Sequence, residues 1–146
     1  MRSVERSAIV PYVPAAMYEL VADVERYPEF LPWCEAARIE SRSDDAVVAS
    51  LTISLGPLRT SFTTANTLDG PQALIMTLVD GPFSFFEGRW RFDALGDSGC
   101  KVSLDTKFEF SSTTQDLLLG RIFESVCNDL IDAFTQRARS LFDERQ

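Results

Sequence analysis

"KVSLDTKFEFSSTTQDLLLGRIFESVCNDLIDAFTQRARSL", residues 101–141, changes its period part-way along. Up to Phe110 the pattern repeats every second residue. Val102, Leu104, Thr106, Phe108 and Phe110 face one way; Lys101, Ser103, Asp105, Lys107 and Glu109 face the other. That is a strand with one covered face and one solvated face. Beyond it the apolar residues fall three and four apart. Leu119, Phe123, Val126, Cys127, Leu130, Phe134, Ala138 and Leu141 form one stripe of a helix, with Glu124, Asp132, Gln136 and Arg139 off it. "SSTTQD" at 111–116 offers N-cap candidates. A helix over 114–142 would be a rod of roughly 40 Å at 1.5 Å per residue. Gly120 marks a candidate kink, and "DERQ" at 143–146 reads as a frayed tail.

The strand pattern extends upstream. In "VVASLTISL", Val47, Ala49, Leu51, Ile53 and Leu55 alternate with Val48, Ser50, Thr52 and Ser54. "LRTSFTTANTL" puts Leu58, Thr60, Phe62, Thr64, Asn66 and Leu68 on one face. "ALIMTLV" is apolar on both faces, so it is covered twice or lies centrally. "SFFEGRWRFDAL" puts Phe86, Gly88, Trp90 and Phe92 opposite Glu87, Arg89, Arg91 and Asp93. Turns at Gly56–Pro57, "DGPQ" (69–72), "DGP" (80–82) and "GDSG" (96–99) separate these runs. Period-two strands with short turns predict an antiparallel meander.

Before the meander, residues 3–10 read as a strand. Pro14 suits a first helical turn. Met17, Leu20, Val21 and Val24 then share one helical face, in a helix expected to reach about Asp23. In "YPEFLPWCE" (27–35), Tyr27, Phe30 and Leu31 keep a helical spacing, while Pro28 and Pro32 confine it to a short separate turn. An N-cap role is the plain expectation for Asp23 and Glu25.

The chain has 146 residues, 45% hydrophobic and 25% charged, which fits a single globular domain over residues 1–146. The 22 acidic and 14 basic residues give a net charge of −8, which argues against direct binding to nucleic acid. There is no histidine, so Ser-His-Asp and Cys-His catalysis are ruled out and the commonest metal ligand is missing. Cys34, Cys100 and Cys127 match neither a zinc spacing nor a disulfide framework, so they are expected as reduced thiols. Cys34 stands beside Glu35, and nothing in the sequence would lower its pKa. No cofactor or metal is expected. No apolar run approaches a bilayer span, and the N-terminus has no signal-peptide pattern, so a cytoplasmic protein is expected.

The elements run strand, two short helices, several strands and a long terminal helix. Laying that helix across a curved sheet buries both apolar faces. The expected class is α+β: a curved antiparallel sheet wrapped around a long C-terminal helix, with two short helices after the first strand. This order resembles the helix-grip fold of START-like proteins. Three blocks narrow the likeness. "DVERYPEFLPWCEAARI" (23–39) resembles the signature of the coenzyme Q-binding family and its RatA-type bacterial toxin relatives. "LVDGPFSFFEGRWRF" (78–92) and "FESVCNDLIDAFTQRA" (123–138) resemble its second and third blocks. Phe85–Phe86 departs from the pattern, which often has a single aliphatic residue there.

The resemblance implies a non-enzymatic carrier of a hydrophobic ligand, a polyprenyl quinone such as ubiquinone, supporting respiration. It implies two alternatives: a toxin that blocks ribosomal subunit association and, ranking third, a polyketide aromatase/cyclase. The implied partners are a hydrophobic small molecule, a membrane visited transiently at the inner face of the cell, or the ribosome. The residues alone read as core, because most apolar stripes are core. With the resemblance they read as a cavity lined by Tyr27, Phe30, Leu31, Trp33, Phe62, Phe86, Trp90, Phe92, Phe108, Phe123, Leu130 and Phe134. The "YPEFLPW" segment fits a fixed cap and a pocket gate equally. Glu87, Arg89 and Arg91 alternate on the polar face and read as a solvated charge ladder.

Overall fold

The computed structural model describes residues 1–143; the rest of the expected frayed tail, 144–146, lies outside the described residues. Seven strands form one antiparallel sheet: β1 (Arg2–Val10), β2 (Cys34–Arg42), β3 (Ala46–Leu55), β4 (Leu58–Asp69), β5 (Ala73–Asp80), β6 (Phe83–Leu95) and β7 (Gly99–Phe110). Their order is β1-β7-β6-β5-β4-β3-β2, so β2 to β7 are a meander and β1 adds beside β7. The doubly apolar strand, β5, is the central one. Helix α1 (Pro14–Ala22) and a 3₁₀ segment (Val24–Glu29) bridge the two edges, and α2 (Thr113–Asp143) closes the chain.

The sheet is curved, and register breaks show where it bends. Bulges interrupt β2 between Cys34 and Ala36, β5 between Leu78 and Asp80, and β6 between Phe83 and Phe85. A bulge adds a residue to one strand and sharpens its bend. The β6 bulge also resets the alternation, so Phe83 and Phe86 both point inward and Phe85 points out.

At 31 residues, α2 is roughly 46 Å long at 1.5 Å per residue. Ser112 begins it: its Oγ accepts from the Gln115 N–H at 3.3 Å. Two arginines of β1 tie the helix down. Arg2 reaches Glu124 at 2.7 Å and Asp116 at 3.3 Å, and Arg6 donates to the Asn128 carbonyl at 2.9 Å. The helix runs uninterrupted through Gly120. That glycine leaves room for the Arg2 guanidinium, where a Cβ would collide.

Three expectations change in detail. Strand β2 was not anticipated, because only its first residue is buried. Helix α1 stops at Ala22, and Asp23 makes no side-chain cap; its carboxylate pairs with Arg26 at 3.2 Å. On α2, Ile131 belongs to the buried stripe, while Leu130 is only half-buried.

Candidate functional site

Between the concave face of the sheet and α2 lies a small cavity. The space open to the centre of a water-sized sphere is about 50 Å³. Eight of the residues expected to line it do so: Tyr27, Trp33, Phe62, Phe86, Trp90, Phe123, Leu130 and Phe134. The sheet supplies Phe62, Phe86 and Trp90 from inward positions of β4 and β6. Phe123, Leu130 and Phe134 face them from α2, and Tyr27 and Trp33 from the segment before β2.

Four expected lining residues sit elsewhere. Phe108 is fully buried beneath Phe123, with ring centroids 4.6 Å apart, and belongs to the core. Phe92 is covered by α1, where Tyr18 meets it edge-on at 5.9 Å. Leu31 is buried in the turn between the 3₁₀ segment and β2, its N–H bonded to the Tyr27 carbonyl at 3.0 Å. Phe30 lies on the outer side, against Phe134 at 5.1 Å and under the Arg137 guanidinium at 5.0 Å.

The lining also contains residues that sequence reasoning did not single out: Leu51, Ile53, Thr64, Met76, Thr106, Val126 and Cys127. A signal was available for most of them. Leu51, Ile53, Thr64 and Thr106 occupy the covered phase of their strands, and Val126 and Cys127 the stripe of α2. The two threonines were passed over because a hydroxyl on an apolar face looks incidental. Met76 had no signal, since β5 is apolar on both faces.

The polar groups in this lining are few and un-ionised. Thr64 donates to Asn66 Oδ1 at 2.7 Å. The Thr106 Oγ1 is buried without a hydrogen-bond partner. Burial pushes the Cys127 thiol up to about 12, with the neighbouring Thr106 hydroxyl opposing the rise. Burial likewise pushes Cys34 up to about 11 and raises the Tyr27 phenol, whose hydroxyl donates to the Val21 carbonyl. These thiols stay protonated near neutrality and are poor nucleophiles. Glu87, Arg89 and Arg91 stay on the outer face, paired loosely along the strand. Among the described residues no group of three or more His, Cys, Asp or Glu side chains could hold a metal.

One wall of the cavity is thin. Trp33 lines the cavity and also an outer groove between the "EFLPW" segment and α2. The segment is pinned across this groove by Arg137, which reaches Glu29 at 2.8 Å while covering Phe30.

The profile of the family described as polyketide cyclase / dehydrase and lipid transport matches residues 10–135. The chain belongs to that family. Within it, the chain is similar to the ribosome association toxin RatA of Pseudomonas aeruginosa, at 42% identity over 95% of this chain and 96% of that protein. It is more distantly similar to a mitochondrial coenzyme Q-binding protein of Drosophila melanogaster, at 28% identity over 92% of this chain and 57% of that one. A Streptomyces aromatase/cyclase, Zhui, shares the family fold with a TM-score of 0.84, covering 96% of this chain and 95% of that one at 19% identity. The START-like, helix-grip architecture expected from the sequence is therefore the fold of this family member. Among the described residues no helix is long and apolar enough to cross a membrane.

Proposed function

We propose that the chain is a non-enzymatic carrier of a hydrophobic ligand, an isoprenoid quinone, held between the sheet and α2. The observation that supports this reading is the character of the cavity wall: aromatic and aliphatic side chains, three hydroxyls (Tyr27, Thr64 and Thr106) and one protonated thiol, with no carboxylate or cation among the described lining residues. Such a wall suits an apolar ring and tail and offers no acid–base pair for turnover. Burying the ligand's apolar area, at about 25 cal/mol per Å², supplies the affinity. The protein would work in the cytoplasm and meet the inner membrane peripherally, where quinones partition. The similarity to a coenzyme Q-binding protein supports the choice of ligand.

The cavity is small. Its 50 Å³ compares with roughly 150 Å³ for an apolar protein cavity that admits benzene. A quinone ring enters only as side chains give way, and the thin wall at Trp33 and Phe30 is where the least packing has to move. Both tryptophans of the chain line the cavity, so quinone uptake has a built-in reporter. Titration with decylubiquinone is expected to quench tryptophan emission saturably. Quenching no greater than that of free tryptophan amide would count against the carrier.

A second reading is favoured by the identity to the Pseudomonas aeruginosa ribosome association toxin. In it, the chain acts on ribosomal subunit association. The net charge of −8 directs such contacts to ribosomal proteins rather than to rRNA phosphates. Overexpression followed by sedimentation decides it: loss of assembled ribosomes supports the toxin, and an unchanged profile removes it.

A further inference from the structure

The cavity holds a poorly satisfied hydrogen-bond donor beside an adjustable filler. Thr106 is 2% exposed, lines the cavity, and its hydroxyl has no partner among the described residues. A poorly satisfied buried hydroxyl is destabilising, so its presence in an apolar wall calls for a reason. Its polar neighbour is the Cys127 thiol, a weak hydrogen-bonding group whose contact with the hydroxyl tempers the rise of the thiol's pKa but falls short of an aligned hydrogen bond.

The sheet register shows what lies next to it. Thr106 on β7 stands opposite Gly88 on β6, and Gly88 stands opposite Met76 on β5. Gly88 leaves a gap in this cross-strand row. The Met76 Cε fills it, lying where a Cβ on Gly88 would be. Methionine is unbranched and turns about three side-chain bonds, so it can vacate the gap without moving the backbone. The slot it would open lies over Gly88, directly beside the free hydroxyl.

We propose that Thr106 is the head-group subsite of the cavity. Its hydroxyl donates to a carbonyl or hydroxyl oxygen of the ligand ring, which occupies the slot over Gly88 after Met76 swings aside. This rests on the carrier reading and adds to it the residue that holds the ligand's ring. Ligand binding then supplies an oxygen partner that the described side chains do not offer Thr106.

The test is decylubiquinone titration, read by tryptophan quenching, on the full chain and on Thr106→Val and Thr106→Ser. Valine keeps the shape and removes the hydroxyl; serine keeps the hydroxyl. The expected result is affinity weakened about 5- to 10-fold in T106V, the worth of one hydrogen bond, and within about twofold of native in T106S, the normal context scatter of such a contact. T106V should melt at or above the native temperature, because it loses an unsatisfied group; this separates a lost subsite from a damaged fold. Native affinity in T106V would overturn the subsite and leave the carrier standing. No saturable quenching by the native chain would overturn both.

Discussion

The two ends of the cavity are both built from aromatic rings, yet they are built differently. Towards the start of α2, Phe62, Phe83, Phe86, Phe108 and Phe110 converge on Phe123 with centroid distances of 4.6 to 6.2 Å. None of these rings has a polar atom. At the other end Tyr27, Phe30 and Trp90 converge on Phe134 at 5.1 to 5.4 Å. Here the rings have polar ties: Tyr27 to the Val21 carbonyl, and Phe30 to Arg137, which is itself paired with Glu29. The first cluster is core and holds the sheet to α2. The second is a wall one residue thick, held in part by contacts at the surface. Similar ring packing thus serves stability at one end and, in the proposed carrier, access at the other.

The contrast is broken most readily at the Phe end. Phe123→Ala is expected to lower unfolding free energy by about 3–5 kcal/mol, as for a fully buried ring, measured by urea denaturation. A loss near that expected for Phe30→Ala would erase the distinction between the two ends.

Alkaline pH separates the ends by chemistry. No group in the Phe cluster titrates, whereas Tyr27 and Cys34 lie at the wall and Cys127 between. Their folded-state pKa values are raised by burial, to about 11 for Cys34 and about 12 for Cys127. The folded chain therefore holds protons that the unfolded chain releases from the ordinary thiol value of 9.0 upward. These groups leave stability unaffected below pH 9, and stability falls as pH rises from there through the folded values. Melting temperature against pH checks this. Cys34→Ala should remove part of the fall, and an identical profile in that variant would contradict it.

Phe30→Ala removes two edge-on ring contacts and one cation–π contact. About 1–2 kcal/mol is expected, together with faster quenching by decylubiquinone in stopped flow. Unchanged uptake would mean that the wall is a fixed cap. The smallest effect is expected of Arg137→Gln, at most about 1 kcal/mol because the partner Glu29 is half-exposed, again with faster uptake.

Much of this plan was legible in the sequence. The strict alternation of β7 and the change of period into α2 follow from solvent on one side and a partner on the other. Strand β2 was not legible, since an edge strand with one buried residue has little pattern. Phe83 was not placed inward because a bulge resets the count. Six residues of the cavity share the inward phase, Phe62, Phe86 and Trp90 on strands and Phe123, Leu130 and Phe134 on α2, but phase does not tell lining from core. Phe108 and Phe123 follow the same rule, and only the distances show that one lies beneath the other. Thr106 was visible as an inward residue. Its lack of a partner depends on residues from three strands and a helix, which no local spacing encodes. The Arg2 clamp over Gly120 joins positions more than a hundred residues apart, so Gly120 read as a kink.

The most direct test of the central claim, that the sheet–helix cavity carries a quinone, is to purify the chain from a quinone-producing bacterium and analyse its organic extract by mass spectrometry. The account predicts an isoprenoid quinone that co-purifies in proportion to protein and is depleted in Thr106→Val. Repeated preparations whose extracts contain no quinone above that of an unrelated protein purified in parallel would contradict it.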